Sequence, residues 1–319
     1  MAFYGWPLAQ CQAKDTPLSV QLLEGIRVID VRLSIIDGKL IAYHDIVSQK
    51  ATFQSILATL YDFLRGPDSP GRRETVVMSI KQEDYRTVDA HLFSRTVREE
   101  MAASPGGLDM WFLEGRVPLL GEVRGRAVLL SRFGVDGAEW PGGLDGLGIH
   151  PRMWPDSARD GFTWDCAGTL VRTHDWYRIP SFLAIPEKVE HATAVLLPPA
   201  HAPSRVLNIS YTSASSFPLA APPTIARGFG WPRFGLGVEG VNARVGRWLL
   251  SLLTGMRVPA ALGESPQLAS NEKLAEVPEE PRVRGWMLMD YYRDPKGGVV
   301  PLLIEMNFRG RKSGEEGWP

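Results

Sequence analysis

Hydrophobic and polar positions alternate along the chain with two different periods. Ile26-Arg-Val-Ile-Asp-Val-Arg-Leu repeats every second residue, the pattern of a strand. Before it, Ser19-Val-Gln-Leu-Leu-Glu24 predicts a short helix stopped by Gly25. Asp37-Gly38 is a strong hairpin turn, and Lys39 to Tyr43 runs back as a second strand ending at His44. From Thr52 to Leu64 the apolar residues Phe53, Ile56, Leu57, Leu60 and Leu64 make one helical face, terminated by Gly66 and Pro67.

The same alternation recurs. Strands are predicted at Thr75–Lys81, Arg126–Arg132, Leu170–His174, Val206–Ser210 and Trp286–Asp290. Helices are predicted at Val88–Ala102, Pro186–Leu196, Val241–Leu253 and Leu302–Asn307. Segments 137–169 and 255–283 are poor in pattern and rich in Gly, Pro and Trp, and read as long loops; the tail 309–319 is polar. Strands separated by helices imply a parallel sheet. A doubly wound open sheet is the rival, but no Gly-x-Gly-x-x-Gly loop follows the first strand. The expected fold is therefore α/β, a TIM-like barrel over residues 1–308 as one domain.

Composition changes this picture little. The chain has 319 residues, 44% hydrophobic and 22% charged, ordinary for a globular domain. A formal net charge of −1 argues against gripping nucleic acid by bulk electrostatics, and leaves room for a local basic site. Cys11 and Cys166 allow one disulfide but no metal-ligand spacing, and are read as two buried, unbridged thiols. No apolar run reaches the ~18 residues of a spanning helix. Met1-Ala-Phe-Tyr-Gly-Trp-Pro lacks the charged start and apolar core of a signal peptide, and localisation stays open.

Candidate chemistry collects at strand ends, where barrel active sites lie. Asp30 and Arg32 are two residues apart and project to one side of their strand. Inside a Val/Ile-rich strand such a pair is either a structural ion pair or a functional one. Lys81 and Glu83 repeat the arrangement, or belong to a solvated loop. His44, Arg132, Asp175 and Asp290 stand at the ends of, or just after, other strands. Charged groups at most strand ends are hard to explain by core packing. Arginine and lysine complement phosphate oxygens, and a histidine titrates near neutral pH.

Gln21-Leu-Leu-Glu-Gly-Ile-Arg-Val-Ile-Asp-Val-Arg, Tyr43-His-Asp, Thr52-Phe, Glu74-Thr-Val-Val-Met-Ser-Ile-Lys-Gln-Glu and Trp286-Met-Leu-Met-Asp form a recognisable set of blocks. They resemble the phosphatidylinositol-specific phospholipase C family, most like its small single-domain bacterial and fungal type. After residue 135 the resemblance rests on Asp175-Trp-Tyr177, Asn208-Ile-Ser-Tyr-Thr-Ser and Asp290. It implies that Arg32 contacts the substrate phosphate with Asp30 beside it, and that His44 is the acid for the departing diacylglycerol. It implies inositol-binding roles for Lys81, Glu83, Arg132, Asp175 and Tyr177. Asp290 matches the carboxylate that orients the base histidine. Animal members carry calcium ligands around this strand; here Arg32 replaces the cation, so neither metal nor cofactor is implied.

The family's first strand, with its Thr-His-Asp base histidine, precedes the stretch resembling Met1–Pro7. The expectation is that this strand is missing from the chain. His174 in Thr173-His-Asp175 imitates the motif but stands where the family has a binding carboxylate, and is read as a decoy. His91, His150, His191 and His201 read as surface residues. Trp6, Trp140, Trp154 and Trp231 either dip into a bilayer surface or pack internally. Three functions are carried forward. One is a phosphodiesterase acting on phosphatidylinositol or a related lipid at a membrane surface, as a monomer, with further residues encoded upstream. Another is a non-catalytic inositol-phosphate or phosphoinositide-binding module. The last is a metal-dependent barrel phosphodiesterase, which needs a carboxylate cluster for its ion.

Overall fold

The first alternating stretch folds as β1 (Val28–Ile36) after a short helix α1 (Leu18–Leu23) in the computed structural model. The model describes residues 4–5, 9–199, 205–216, 220–232, 236–255 and 283–309. β1 turns through Asp37 and Gly38, both in the left-handed region (φ 49° and 73°), into β2 (Lys39–His44). The pairing Ile36↔Lys39 makes this the predicted two-residue hairpin. A strand the pattern does not predict, β3 (Val47–Thr52), pairs antiparallel with β2.

Thr52 caps the next helix, α2 (Phe53–Arg65), by accepting a hydrogen bond from the Ser55 amide at 3.1 Å. The apolar stripe of α2 is buried as predicted: Phe53, Ile56, Leu57, Leu60 and Leu64 face the core. β4 (Thr75–Gln82), α3 (Ala90–Ala103), the short β5 (Trp111–Phe112), α4 (Leu120–Val123) and β6 (Arg126–Arg132) follow. These strands form one sheet in the order β3-β2-β1-β4-β6-β5. β4 pairs parallel with both β1 and β6, so the period-2 side-chain alternation continues across three strands.

That alternation sorts the two faces. Ile29, Val31 and Leu33 of β1, Val76, Met78 and Ile80 of β4, and Ala127 and Leu129 of β6 enter the core beneath α2 and α3. The opposite face carries successive rungs: Val28, Val77 and Val128; then Asp30, Ser79 and Leu130; then Arg32, Lys81 and Arg132. Along this face the valine rung gives way, four residues on, to a wholly cationic one, while Arg126 beside Thr75 places a charge at the N-terminal end as well.

The described residues divide into two compact units. One runs up to Asp156 and includes Thr163–Val171 and Arg205–Leu207; the other holds the remainder. Further along the chain come β7 (Phe162–Cys166), β8 (Thr169–His174), α5 (Ile185–Ala194), β9 (Val206–Tyr211) and α6 (Pro222–Arg227). They are followed by β10 (Gly228–Trp231), β11 (Leu236–Glu239), α7 (Val241–Thr254), β12 (Trp286–Leu288) and α8 (Val299–Met306). A second sheet has the order β12-β9-β8-β7, with β9 and β12 parallel. The core of the second unit gathers Ile185 and Val189 of α5, Val241, Val245 and Leu249 of α7, and Val299 and Met306 of α8.

Several expectations shift. Segment 137–169 contains a strand, β7, because Thr163 and Asp165 alternate outward while Cys166 is buried. The last strand stops at Leu288, which leaves Asp290 in the turn that follows. The final helix begins at Val299 rather than Leu302, since Gly298 rather than the apolar stripe sets its start. β10 and β11 form an antiparallel hairpin without a sequence signal. Cys11 and Cys166 form no disulfide, and only Cys166 is buried, Cys11 being half-exposed. Most of the predicted 255–283 loop, residues 256–282, lies outside the described residues, as does the tail beyond Arg309.

Candidate active site

The rung Arg32–Lys81–Arg132 places three cations side by side on adjacent parallel strands. Like charges at strand spacing repel, and two carboxylates hold the row together. Asp30 accepts from Arg32 Nε at 2.9 Å and from the Ser79 hydroxyl at 2.7 Å, with Arg132 Nη1 3.6 Å away. Glu83 accepts from Arg32 Nη1 at 3.1 Å and lies 3.5 Å from Lys81 Nζ. The formal charges of these five side chains, three positive and two negative, sum to +1. Glu83 and Arg132 are nearly buried, with 8% and 7% of their side chains exposed, whereas Arg32 and Lys81 keep 27% and 30%. The two open cations are thus backed by less accessible partners. Trp154 lies 4.0 Å from the Arg132 guanidinium and supports it from its ring face.

Electrostatics follow from this packing. Burial opposes the charge on Asp30, but Arg32, Arg132 and the Ser79 hydroxyl overcome it and hold the carboxyl well below its usual range. Burial pushes the Lys81 amine down, and Arg32 and Arg132 push it further, against the pull of Glu83 and Asp30. A bound anion would relieve this crowding.

His44 ends β2 in the same unit. Its Nδ1 lies 2.9 Å from the carbonyl of Ala9, which can only accept, so Nδ1 carries a hydrogen and Nε2 is the nitrogen left to exchange a proton. Burial lowers the imidazole pKa, and the charge of Arg32 lowers it further; the Ala9 carbonyl, Glu83 and Asp30 act in the opposite sense. The Cys11 sulfur sits 3.8 Å from both ring nitrogens.

The structure therefore brings together Asp30, Arg32, His44, Lys81, Glu83 and Arg132 in one unit. Asp175, Tyr177 and Asp290 belong to the second. Asp175 and Asp290 are buried there, at 4% and 8% exposure. The charges of both act on Lys188, a fully buried lysine of α5 whose amine donates to the Tyr211 carbonyl at 2.5 Å. Burial takes this amine down to about 7 despite the two carboxylates. The Tyr177 hydroxyl accepts from Arg178 at 3.2 Å. The Asp290 carbonyl accepts from Asn242 at 2.8 Å, which pins the turn after β12.

Sequence reasoning missed Ser79, Cys11, Trp154 and Lys188. Ser79 was legible in principle, since it shares the face of Lys81 two residues on. The others reach their partners only through tertiary packing. Two surface expectations are corrected. His150 is half-buried, with Nδ1 2.9 Å from the Ser131 hydroxyl, and His191 is stacked on His174 with ring centroids 5.9 Å apart. His201 lies outside the described residues. Trp140 does not reach solvent: it is 4% exposed and donates to the Ser94 hydroxyl at 2.9 Å. Trp231 is 69% exposed, and Trp6 lies outside the described residues.

His174 is 2% exposed, and burial, followed by Lys188 and His191, drives its pKa down to about 3. With its proton affinity this low, and closed off from solvent, the imidazole is too weak a base to take a proton near neutrality. In the unfolded chain it takes up a proton below about pH 6.5, and in the folded chain only near 3. Stability from this group is therefore complete above the first value and lost as pH falls between the two. Urea unfolding from neutral pH to mildly acidic pH is expected to lose about 1.4 kcal/mol per pH unit through His174. His174→Met should flatten the profile by that amount; an unchanged profile would mean that the imidazole is hydrated.

No protein-family model matches the chain, and no curated protein matches its sequence. Solved structures do. A Staphylococcus aureus phosphatidylinositol-specific phospholipase C superposes with a TM-score of 0.64 at 18% identity, over 94% of this chain and 85% of that one. A pentafluoro-Phe form of the S. aureus enzyme gives 0.63 at 18%, over 95% and 87%. The Listeria monocytogenes enzyme gives 0.56 at 19%, over 96% and 85%. At these identities the likeness is one of fold, and the chain has the mixed α/β fold of the bacterial phosphatidylinositol-specific phospholipases C.

Proposed function

We propose that this chain is a phosphodiesterase of the phosphatidylinositol-specific phospholipase C type, a TIM-like barrel over residues 1–308 as one domain. The observation that carries the reading is the Arg32–Lys81–Arg132 row, braced by Asp30 and Glu83, with His44 in electrostatic reach of Arg32. Arg32 takes a non-bridging oxygen of the phosphodiester, positioned by its bond to Asp30. A fixed guanidinium then does the work that a bound cation does in metal-dependent relatives. Lys81, Glu83 and Arg132 bind inositol hydroxyls beside the phosphate.

In the reaction, the inositol 2-hydroxyl oxygen forms a bond to phosphorus and gives its proton to a general base outside the described residues. The bond from phosphorus to the diacylglycerol oxygen breaks, and that oxygen takes the proton from His44 Nε2. The products are inositol cyclic phosphate and diacylglycerol. The unperturbed His44 site disfavours the charged imidazole. A phosphodiester anion beside Arg32 offsets the part of that penalty that Arg32 imposes, so substrate binding favours the charged acid. Among the described residues none is assigned as the base, since His174 is buried and binds a proton far too weakly.

Binding and turnover are separable tests. Calorimetric titration with inositol 1-phosphate is expected to show binding that Arg32→Ala weakens by about 100-fold, the scale of a lost charge-assisted clamp. His44→Ala should leave binding within a few-fold while lowering any cyclic phosphate formation by about 10²–10⁴. Equal binding by wild type and Arg32→Ala would overturn the reading. Binding without turnover in wild type would favour a non-catalytic module, and loss of turnover to a chelator would favour a metal-dependent enzyme.

The lipid surface is the second part of the proposal. The β10–β11 hairpin presents Phe229, Trp231 and Leu236, exposed by 43%, 69% and 65%. Aromatic side chains of this kind settle at the boundary between headgroups and acyl chains. Trp231→Ala should reduce sedimentation with phosphatidylcholine vesicles several-fold without changing binding of soluble inositol phosphate. Unchanged vesicle partitioning would remove the hairpin from the lipid contact.

A further inference from the structure

The loop that leaves β6 carries a second cluster that the phosphate row does not use. His91 in the first turn of α3, Asp136 and Glu139 each offer one ligand atom, and these atoms all lie within 4.8 Å of one another. His91 Nδ1 is 2.9 Å from Glu139 Oε1 and 3.7 Å from Asp136 Oδ1. Ligands about 2.0–2.2 Å from a tetrahedral zinc are separated by roughly 3.3–3.5 Å, within the range seen here.

Burial points to a ligand. The Glu139 side chain is only 9% exposed, and its second oxygen, Oε2, is buried with no hydrogen-bond partner among the described residues. An imidazolium at His91 satisfies one oxygen of this carboxylate and leaves the other orphaned, a costly arrangement in the interior. A divalent cation balances the carboxylates around His91, and one chelated by both Glu139 oxygens would also meet the orphaned Oε2.

The scaffold beneath the cluster is built to hold it. Phe133 packs edge-on against Phe93 of α3 at 5.6 Å, Trp140 lies 6.1 Å from Phe133, and the buried Trp140 indole donates to Ser94. The loop between them turns at Gly137 (φ +73°), where a Cβ would stand 2.3 Å from the Gly143 backbone. Asp136 and Glu139 flank that turn and are held against the helix that carries His91.

We propose that His91, Asp136 and Glu139 bind a divalent cation of the Zn²⁺ type, with one imidazole and two carboxylates as protein ligands and water completing the shell. The ion would clip the loop after β6 to α3, a structural role outside the phosphate row. The probe is Zn²⁺, titrated at neutral pH in competition with a chromophoric chelator, with Co²⁺ as a spectroscopic reporter. Wild type is expected to take up one equivalent that His91→Ala and Glu139→Gln each lose or bind at least about tenfold more weakly. The visible Co²⁺ bands and the zinc-induced rise in melting temperature should disappear in the same variants. Zinc held near Cys11 and His44 would persist in both, and is thereby distinguished. Because His91 is 42% exposed on its side chain, His91→Ala provides the test if Glu139→Gln fails to fold. Identical zinc uptake and identical melting shifts in wild type and His91→Ala would overturn the proposal.

Discussion

Three cations on one rung of a parallel sheet are the constraint around which the first unit is organised. Arg32, Lys81 and Arg132 are neighbours because β1, β4 and β6 pair in register, so no side-chain rearrangement can separate them without breaking the ladder. Asp30 and Glu83 are what make the row tolerable. Removing either carboxylate would leave crowded cations in a half-buried place, a larger loss than the net worth of the pair it breaks. Burial first, and then the neighbouring cations, still lower the pKa values of Lys81 and His44. An arrangement that strains its own cations is one that welcomes an anion.

The sheet explains why the charges lie where they do. On the face away from α2 and α3, one rung is all valine, the next mixes Asp30 and Ser79 with Leu130, and the one after is wholly cationic. From the valine rung onward polarity rises toward the C-terminal ends of the strands, the end at which α/β folds bind ligands. His44 arrives from β2, the hairpin partner of β1, and its tautomer is set by the Ala9 carbonyl. The site thus rests on strand register and backbone contacts more than on loops.

Much of this was legible from sequence because period-2 alternation survives in the strands that matter. Ile29, Val31 and Leu33 mark the core face of β1, so Asp30 and Arg32 had to share the other. Asp37-Gly38 announced the hairpin through the positive φ values that only such residues accept readily. Other features lay beyond pattern reading. β3 and β7 are polar strands with weak alternation, and the β10–β11 hairpin is rich in glycine and exposed. The register that aligns Arg32, Lys81 and Arg132 is a property of three segments together, and Trp154 reaches Arg132 from 22 residues away in sequence. His150 was misjudged, and for Trp140 two alternatives stayed open, because a half-buried histidine and a core tryptophan carry the same letters as exposed ones. Lys188 is harder still, since a fully buried lysine contradicts the usual expectation for its type.

The central claim is that the cation row exists to receive a phosphate ester and that His44 responds to its charge. NMR titration of the His44 imidazole, assigned by its loss in His44→Ala, tests this most directly. In the unliganded protein the account predicts a pKa below the ordinary histidine value, for burial and Arg32 both lower it. Saturating inositol 1-phosphate should move it upward, because the anion offsets Arg32 and favours the protonated ring. A His44 pKa that stays unchanged when the phosphate ester is bound would contradict the account.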